Sequence, residues 1–251
     1  MKIARSPILP ALPAFERRAS FASDEERLRH FLLLTHKSDT VCDCDLCKTL
    51  NRFFSLKEYV SGERDEVEAF IRKCFADAYS ASITSFMPRL FRLTTRRGEV
   101  VAAFGIRPAR EGKLFLETYL DEPIERAIES KAGVALQREQ IVEVGNLAAI
   151  YPGAVRWLFV ALTVKLFDEG YEWVVFTGTP ALRNVLHKLE LDAVEIGPAR
   201  PDRLTAEDRT RWGVYYDTQP MVMAGSVRDA LQVISNNASL LLLSANEKQA
   251  R

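Results

Sequence analysis

The stretch QIVEVGNLAAIYPGAVRWLFVALTVKLFDEGYEWVVFTGT, residues 140–179, decides the fold. It contains two apolar runs rich in β-branched residues, 141–147 and 173–176, which are typical of buried strands. Between them, apolar side chains recur at helical spacing over 159–167, and Gly170 fits the end of a helix. Strand, turn, helix and strand form a βαβ unit, whose two strands are expected to lie parallel with a right-handed crossover.

The turn of this unit is a candidate anion-binding site. The helix is expected to begin just after Gly153, so that free N–H groups and the positive end of the helix dipole point outward there. Such a helix start commonly binds a phosphate or pyrophosphate. The candidate cofactor-binding residues are Tyr151, Gly153, Ala154 and Arg156. Arg156 would bind a phosphate in a bidentate manner, although an ordinary loop explains the same residues equally well.

Composition and charge exclude several classes of function. The chain has 251 residues, 47% of them hydrophobic and 27% charged, which predicts a soluble globular protein. Its 34 basic residues equal its 34 acidic ones, so no global field favours nucleic acid. No apolar run is long enough to span a membrane, and prolines interrupt the apolar part of the N-terminus, which argues against a signal peptide. A cytoplasmic location is therefore expected.

The beginning of the chain differs from the rest. Residues 1–62 combine a proline-rich start with a polar stretch that contains cysteines, and they are predicted to form an N-terminal extension. Residues 63–251 are predicted to form the main domain with a helical tail. By composition the extension contains one candidate zinc site, made of His36, Cys42, Cys44 and Cys47. The first two cysteines are too close together for the usual zinc knuckle, and free thiols on a loop explain the segment without a metal.

The main domain shows helix and strand signals in a definite order. Asp65 and Glu68 have capping-box spacing before an apolar stripe, which predicts a helix over residues 65–78. Two apolar runs on either side of residues 96–98 predict a β-hairpin. The further predicted elements are a strand at 113–120, a short helix at 123–130, the βαβ unit, a helix at 180–189 capped by Thr179, a strand at 191–196, late strands within 212–227 and a helical tail from 228 to about 243.

This order predicts an α+β fold. A mostly antiparallel sheet would contain one parallel pair of strands and would be flanked by helices. The same order resembles the GNAT fold of acyl-CoA N-acyltransferases. The resemblance implies that the central strand splays from its parallel neighbour. It also implies that the pyrophosphate of an acyl-CoA lies on the N-terminus of the helix that follows this strand.

Several short motifs resemble one bacterial family. They are LFLETYLDEPIE at 114–125, IVEVGNLA at 141–148, WVVFTGT at 173–179 and WGVYYDTQPMVMAG at 212–225. Together, and in this order, they resemble the thermostable hemolysin family over roughly residues 65–227. The family is named for a haemolytic phenotype, so the resemblance implies little about molecular mechanism.

A more distant resemblance concerns the chemistry. The segment EVGNLA, from Glu143 to Ala148, is similar to the central strand of acyl-homoserine-lactone synthases, which are GNAT-like enzymes. That strand carries a Glu and, a few residues further on, an Arg. Glu143 matches the Glu, but Asn146 stands where the Arg would be. The resemblance therefore implies the fold and acyl transfer, and it puts lactone formation from S-adenosylmethionine in doubt.

Glu143 is the sharpest candidate for a catalytic residue. A carboxylate within a strand of Ile, Val and Leu is costly to bury unless it is paired or used. With a pKa raised by burial, it would be the general base that deprotonates an amine attacking an acyl thioester. The alternation of side chains along a strand gives the opposite interpretation, in which one face of the strand carries Ile141, Glu143 and Gly145 and is exposed to solvent. Gly145 also predicts a bulge, and Asn146 beside it is a candidate substrate-binding residue, although turn chemistry explains it too.

Other polar residues near predicted strand ends are candidates for the same site. Glu117 and Asp121 are candidate substrate-binding residues for an amine, although paired acids at a hairpin end are more often surface charges. Thr177 and Asn184 lie at the carboxyl edge of the second parallel strand, where crevices form. Thr177 is a substrate-binding candidate. Asn184 is a cofactor-binding candidate, although an asparagine on a helix commonly faces solvent.

Two adjacent tyrosines, Tyr215 and Tyr216, are predicted to lie in a late strand. A late tyrosine often protonates the departing thiolate in GNAT enzymes, and Tyr216 is the catalytic candidate here. A tyrosine ring packed in the core is the commoner case.

The sequence supports three hypotheses about function. The first is an N-acyltransferase that moves an acyl group from a CoA or acyl-carrier-protein thioester to a small amine or amino acid. An acid beside an anion-binding turn is the reason for it. The second is a membrane-active haemolysin, as the family name says, although machinery for lysis is not evident. The third is a binding module that has kept the fold and lost the chemistry.

Overall fold

The computed structural model of the protein describes residues 50–59 and 64–237. Outside them lie the end of the predicted helical tail and the four candidate zinc ligands, His36, Cys42, Cys44 and Cys47. Within them, no group of three or more His, Cys, Asp or Glu side chains is placed to hold a metal ion. None of the helices in the same two ranges is long and apolar enough to cross a membrane.

A seven-stranded sheet forms the centre of the fold. Its strands are β1 (Phe54–Tyr59), β2 (Arg89–Thr95), β3 (Val100–Pro108), β4 (Ile141–Ala149), β5 (Trp173–Gly178), β6 (Val194–Pro198) and β7 (Met221–Ser226). Their order across the sheet is β1-β2-β3-β4-β5-β7-β6. Neighbouring strands are antiparallel except β4 and β5, which are parallel. The predicted hairpin is confirmed as β2 and β3.

Helices flank this sheet. They are α1 (Asp65–Tyr79), α2 (Ile124–Ala132), α3 (Pro152–Asp168), α4 (Pro180–Lys188), α5 (Ala206–Arg211) and α6 (Val227–Asn236). Helix α3 begins at Pro152, earlier than the expected start after Gly153, and it is followed by Gly170 in a left-handed conformation, as the sequence predicts. The predicted cap of α4 is confirmed, since the Thr179 hydroxyl accepts the N–H of Leu182. The predicted capping box of α1 is wrong, because Arg64 occupies the cap position without a side-chain cap bond.

The parallel pair diverges partway along its length. Strand β4 pairs with β5 only from Ile141 opposite Trp173 to Val144 opposite Phe176, although β4 continues to Ala149. The βαβ unit is therefore confirmed, and the fold is the predicted α+β arrangement. It has a mostly antiparallel sheet with one splayed parallel pair between helices, in the GNAT-like order of elements.

The two faces of the sheet are covered by different elements. Helices α3 and α6 contact each other, and α3 packs on β3 and β4. On the opposite face, α1 buries Val67, Ile71 and Phe75 against β2 and β3. The segment 109–132 covers β4, β5 and β7 on that second face, where Leu116 and Ile128 pack with Ile141 and its neighbours. Glu143 belongs to this second face, because it alternates with Val142 and Val144.

The predicted strand at 113–120 is wrong. These residues form a loop with a 3₁₀ turn at Leu116–Thr118. The alternation of apolar and polar side chains resembles a strand, but the N–H groups of Leu114, Phe115 and Leu116 bond to carboxylates instead of a neighbouring strand. The carboxylates of Glu117 and Glu143 therefore take the place of a strand partner.

Two further segments differ from the sequence interpretation. Tyr215 and Tyr216 lie in a 3₁₀ turn, Tyr215–Thr218, and not in a strand. Residues 54–59, which the sequence interpretation placed in the N-terminal extension, form the edge strand β1 and pair with β2. The domain boundary itself, residues 1–62 against 63–251, stays a prediction.

Candidate active site

The carboxylate of Glu143 lies at the centre of the second face, and only 2% of the residue is exposed. Its Oε2 accepts the N–H of Phe115 at 2.8 Å, and its Oε1 accepts the N–H of Leu116 at 2.9 Å. The interpretation of this face as wet is therefore wrong, because segment 109–132 covers it. Each carboxylate oxygen has two acceptor sites, so capacity remains for a further donor.

Burial raises the pKa of Glu143 from its ordinary value of 4.5 to about 7, because a dry environment disfavours the charged carboxylate. The N–H groups of Phe115 and Leu116 and the charge of Arg107 lower this pKa, but burial outweighs them. A carboxyl group with this pKa gains and loses a proton near neutral pH. That property suits a general base.

Glu117 is a second buried acid on the same segment, with 7% of the residue exposed. It accepts the N–H groups of Leu114 at 2.7 Å and Ile124 at 2.9 Å. It also pairs with Arg138, whose Nη1 lies 2.7 Å from Oε1. Burial alone would raise the pKa of Glu117, but these hydrogen bonds lower it below its ordinary value. The carboxylate is thus surrounded by protein donors, and its predicted contact with substrate stays a prediction.

A pair of tyrosines lies beside Glu143. The hydroxyl groups of Tyr119 and Tyr216 share a hydrogen bond, and the negative charge of Glu143 contributes to raising the pKa of Tyr119, which burial raises most. Burial also raises the pKa of Tyr216, to about 12. Trp212 contacts the ring of Tyr216 edge-on. Tyr119, which the sequence interpretation did not select, therefore bonds to the catalytic candidate Tyr216 and lies close enough to Glu143 to feel its charge.

Strand β4 has a bulge directly after Gly145, two residues beyond Glu143. The register moves from Gly145 opposite Gly105 to Ala148 opposite Ala103, so β4 has one extra residue. Asn146 adopts a left-handed conformation at this point, with a φ of 51°. Its Oδ1 accepts the N–H of Met87 at 2.8 Å. The predicted bulge is confirmed, and the carbonyl oxygen of the Asn146 side chain is used to hold a neighbouring loop.

The loop held by Asn146 fills the space above two glycines. A Cβ atom at Gly145 would lie 2.4 Å from Cε of Met87, and one at Gly105 would lie 2.5 Å from its Cβ. The two glycines face each other across β3 and β4, next to the opposed pair Arg107 and Glu143. The side chain of Met87 therefore covers the part of the site that lies towards the C-terminal end of β4 from Glu143.

Thr177 lies where β5 leaves β4. It is partly buried, it pairs with Val222 on β7, and its carbonyl oxygen accepts the hydroxyl of Tyr215 at 3.5 Å. The opening between the diverging strands is thus bordered by the 3₁₀ turn that carries both tyrosines. A contact of Thr177 with substrate stays a prediction.

The start of α3 lies at the surface. Tyr151 occupies the cap position and Pro152 the first helical position, and the N–H of Ala154 bonds to the Tyr151 carbonyl at 3.0 Å. Tyr151 is 36% exposed, whereas Ala154 is buried and Arg156 partly buried. The helix start is accessible, as an anion site requires, and cofactor binding by these residues and Gly153 stays a prediction.

Two of the candidates from the sequence lie away from this cluster. Asp121 is at the surface, where it pairs with Arg203. Asn184 is on an exposed part of α4. Their substrate- and cofactor-binding roles stay predictions.

Sequence reasoning missed two basic residues that belong to the site. Arg107 on β3 lies directly opposite Glu143 and is partly buried, although the basic cluster from Arg107 to Arg110, next to Glu111, resembles a solvated surface in the sequence. Arg138 precedes β4 and binds Glu117. The position of Arg107 depends on the register between β3 and β4, and no local signal in the sequence gives that register. Nothing in the spacing of the sequence indicates the pairing of Arg138.

An apolar cavity of about 50 Å³ lies on the opposite side of the sheet from Glu143. Val144 and Leu147 of β4 line it, together with Phe176 of β5 and side chains of α3 and α6. Part of its wall is the stretch where β4 and β5 diverge. The splay therefore has a buried acid on one side and an apolar cavity on the other.

These features define a protein of α+β class with a buried carboxyl and tyrosine cluster beside a splayed parallel strand pair. A sequence model of one family, described as "Thermostable hemolysin", matches residues 58–231, which is more than half of the chain. The chain therefore belongs to the thermostable hemolysin family, as its motifs indicate. The curated proteins contain no match to the sequence.

Several solved structures are similar to the chain. The acyl-homoserine-lactone (AHL) synthase LasI has a TM-score of 0.46 and 13% identity, over 69% of this chain and 90% of its own. FeeM, an N-acyl amino acid synthase from uncultured soil microbes, has a TM-score of 0.46 and 14% identity, over 70% and 92%. MesI, a CoA-dependent acyl-homoserine lactone synthase, has a TM-score of 0.45 and 13% identity, over 73% and 95%.

Proposed function

We propose that the protein is an N-acyltransferase that moves an acyl group from a CoA or acyl-carrier-protein thioester to a small amine or amino acid. Glu143 is the general base. The observation that carries the proposal is the buried carboxyl group of Glu143, at the base of the splay between β4 and β5, with a pKa of about 7. A structural carboxylate needs no such pKa, whereas a base that works near neutral pH does.

The proposed reaction is a direct transfer. Glu143 takes a proton from the ammonium group of the acceptor, and the free amine attacks the thioester carbonyl carbon. A C–N bond forms, the attacking nitrogen loses its second proton to solvent, the C–S bond breaks, and the thiolate leaves with the bonding electron pair. Tyr216 is the hydrogen-bond donor to the departing sulfur. With a pKa of about 12 it is a weaker acid than a thiol of about 8.5, so the thiolate takes its final proton from solvent.

The strand and helix geometry is consistent with a long thioester donor. β4 continues six residues past Glu143, to Ala149, which is on the order of 20 Å at about 3.3 Å per residue. The exposed start of α3 follows. If a phosphate of CoA or of a carrier protein binds at this helix start, the extended arm attached to it would lie between the diverging strands β4 and β5 and would reach towards Glu143. The apolar cavity behind the splay is suited to the aliphatic end of the acyl group.

The direct experiment is a thioester panel. Purified protein is incubated with acyl-CoA and acyl-carrier-protein thioesters of several chain lengths and a panel of amines and amino acids, and thiol release is measured with the acylated product identified by mass spectrometry. Gly153→Glu, which places a negative charge at the helix start, is expected to weaken thioester binding and to lower activity together. An exposed control that also adds a negative charge is Ser235→Glu on α6, a position with no proposed role in binding. Absence of binding and turnover with every thioester would disprove the proposal.

The family name favours one alternative, direct action on membranes. A membrane-active protein would release dye from liposomes without any thioester or amine. An acyltransferase would do so only after it had made an amphiphilic product. Leakage caused by the pure protein alone would support the alternative and contradict the proposal.

A further inference from the structure

Arg138 binds both ends of residues 109–125, the first part of segment 109–132, which covers Glu143. Its guanidinium donates to the carbonyl oxygens of Ala109 at 3.0 Å and Gly112 at 2.7 Å, at the beginning of the segment. It also pairs with Glu117 at 2.7 Å and Glu125 at 2.8 Å, in the middle and at the end. One side chain thus ties together four points of a stretch that lacks a strand partner. Only a planar guanidinium has enough donors to do this.

Glu117 continues the same set of bonds inside the segment. Its carboxylate binds the N–H groups of Leu114 and Ile124, which lie on either side of it. The next two N–H groups after Leu114, those of Phe115 and Leu116, bind Glu143. Three successive N–H groups are therefore divided between the two buried acids. A shift of Leu114 would move both donors of Glu143.

We propose that Glu117 and Arg138 are positioning residues, which hold segment 109–125 closed over Glu143 and thereby keep its carboxyl group dry and fixed. This inference rests on the proposed function, in which Glu143 is the base. Neither residue touches the reacting atoms, and both act through Phe115 and Leu116. The two residues would set the pH at which the base works, because burial is the largest cause of the raised pKa of Glu143.

The variant Arg138→Gln distinguishes a positioning role of Arg138 from a purely electrostatic one. The two roles predict changes of opposite sign in the pKa of Glu143. Arg138→Gln removes a positive charge and leaves Glu117 unpaired. If the segment stayed in place, the unpaired negative charge of Glu117 would raise the pKa of Glu143 further, in the direction of its present effect. If the segment loosens, water reaches Glu143 and the pKa falls from about 7 towards 4.5. We expect the fall.

Two measurements on the full chain test this inference. The first is the pKa of Glu143, obtained from the pH dependence of unfolding by urea in Arg138→Gln, with and without Glu143→Gln. The second is the pH profile of kcat/KM for acyl transfer. We expect the acidic limb to move to lower pH and kcat to fall on the order of 10- to 100-fold, with KM for the thioester little changed. Arg138→Lys keeps the positive charge but lacks the planar guanidinium, so it should give a smaller change in the same direction. If Arg138→Gln does not fold, Arg138→Lys replaces it in both measurements.

Arg89→Gln is the matched control. Arg89 also binds two carboxylates, at 2.6 Å from both Glu58 and Glu169, and its side chain is 23% exposed, close to the 26% of Arg138. It lies on β2, and both of its carboxylate partners lie outside segment 109–125, so its loss should lower stability without changing the titration of Glu143. If Arg138→Gln behaves like Arg89→Gln, or raises the pKa of Glu143, the inference is wrong. A wild-type protein without transferase activity would refute the proposed function, while the titration would still decide whether the segment is held in this way.

Discussion

Arg107 on β3 lies directly opposite Glu143 on β4, so that the two side chains project from the same face of the sheet. Arg107 is partly buried, and its charge lowers the pKa of Glu143 against the larger effect of burial. Its guanidinium donates a long hydrogen bond, 3.5 Å, to the carbonyl oxygen of Lys113. The site therefore contains a positive charge that restrains how far the pKa of the buried acid rises.

Replacing Arg107 by Gln should raise the pKa of Glu143 above its wild-type value. The base would then need a higher pH to lose its proton, so the acidic limb of the kcat/KM profile should move to higher pH. Arg110→Gln, at an exposed position of the same basic cluster, is the control and should leave the limb in place. An unchanged limb in Arg107→Gln would show that the two groups are not coupled.

The stability of the protein should fall as the pH rises through neutrality. Since the folded-state pKa of Glu143, about 7, lies above its ordinary value of 4.5, the folded state holds the proton more tightly. Its contribution is fully present below 4.5 and is lost as the pH rises through 7. For these two pKa values, the stability lost between pH 5 and pH 8 is about 2.5 kcal/mol. Urea unfolding across this range measures it.

Glu143→Gln isolates this contribution from the other acids. Hydrogen bonds lower the pKa of Glu117, so its contribution is present above 4.5 and is lost only as the pH falls further. It is therefore nearly constant between pH 5 and pH 8. The free energy of unfolding of wild type minus that of Glu143→Gln should decrease across this window. A flat difference would mean that Glu143 is charged throughout and that burial does not raise its pKa.

The glycines beneath Met87 should differ in their tolerance of a methyl group. At Gly145 the added Cβ would meet the flexible end of the Met87 side chain, which is able to move. At Gly105 it would meet the stem of Met87 and, at 2.9 Å, a methyl group of Leu90. We expect Gly105→Ala to lower the free energy of unfolding by roughly 1–3 kcal/mol and Gly145→Ala by less. The reverse order in thermal or urea unfolding would contradict this packing.

The hydroxyl groups of Tyr119 and Tyr216 should be energetically coupled. Tyr216→Phe leaves the Tyr119 hydroxyl in a residue that is only 4% exposed, without its partner, at a cost of about 1–3 kcal/mol. The double variant with Tyr119→Phe should cost less than the sum of the single variants. Additive single effects in a double-mutant cycle would show that the hydrogen bond contributes nothing to stability.

The order of elements could be predicted from the sequence, because apolar periodicity and turn chemistry are local signals. The βαβ unit, the hairpin and the cap at Thr179 all follow from such signals. The segment 113–120 could not be assigned correctly. Its alternating pattern favours a strand, and only the two carboxylates that bind its N–H groups make it a turn. One of these, Glu143, is distant in sequence.

Part of the candidate site was visible in the sequence for a similar reason. An acid inside an apolar strand indicates Glu143, since burying a carboxylate is costly wherever it happens. Arg107 and Tyr119 could not be selected in this way, because their importance depends on strand register and on the position of a loop. Met87 could not be selected from the sequence either, because the two glycines that its side chain packs against lie on different strands.

The pH profile of acyl transfer in wild type and Glu143→Gln tests the central claim most directly. With a thioester and an amine identified from the panel, kcat/KM of the wild type should rise with pH, with a midpoint near 7. Folded Glu143→Gln should lose activity by roughly 10²- to 10⁴-fold and should lack this limb. A variant that transfers acyl groups at the wild-type rate, with the limb intact, would show that Glu143 only caps the turn at Leu116–Thr118.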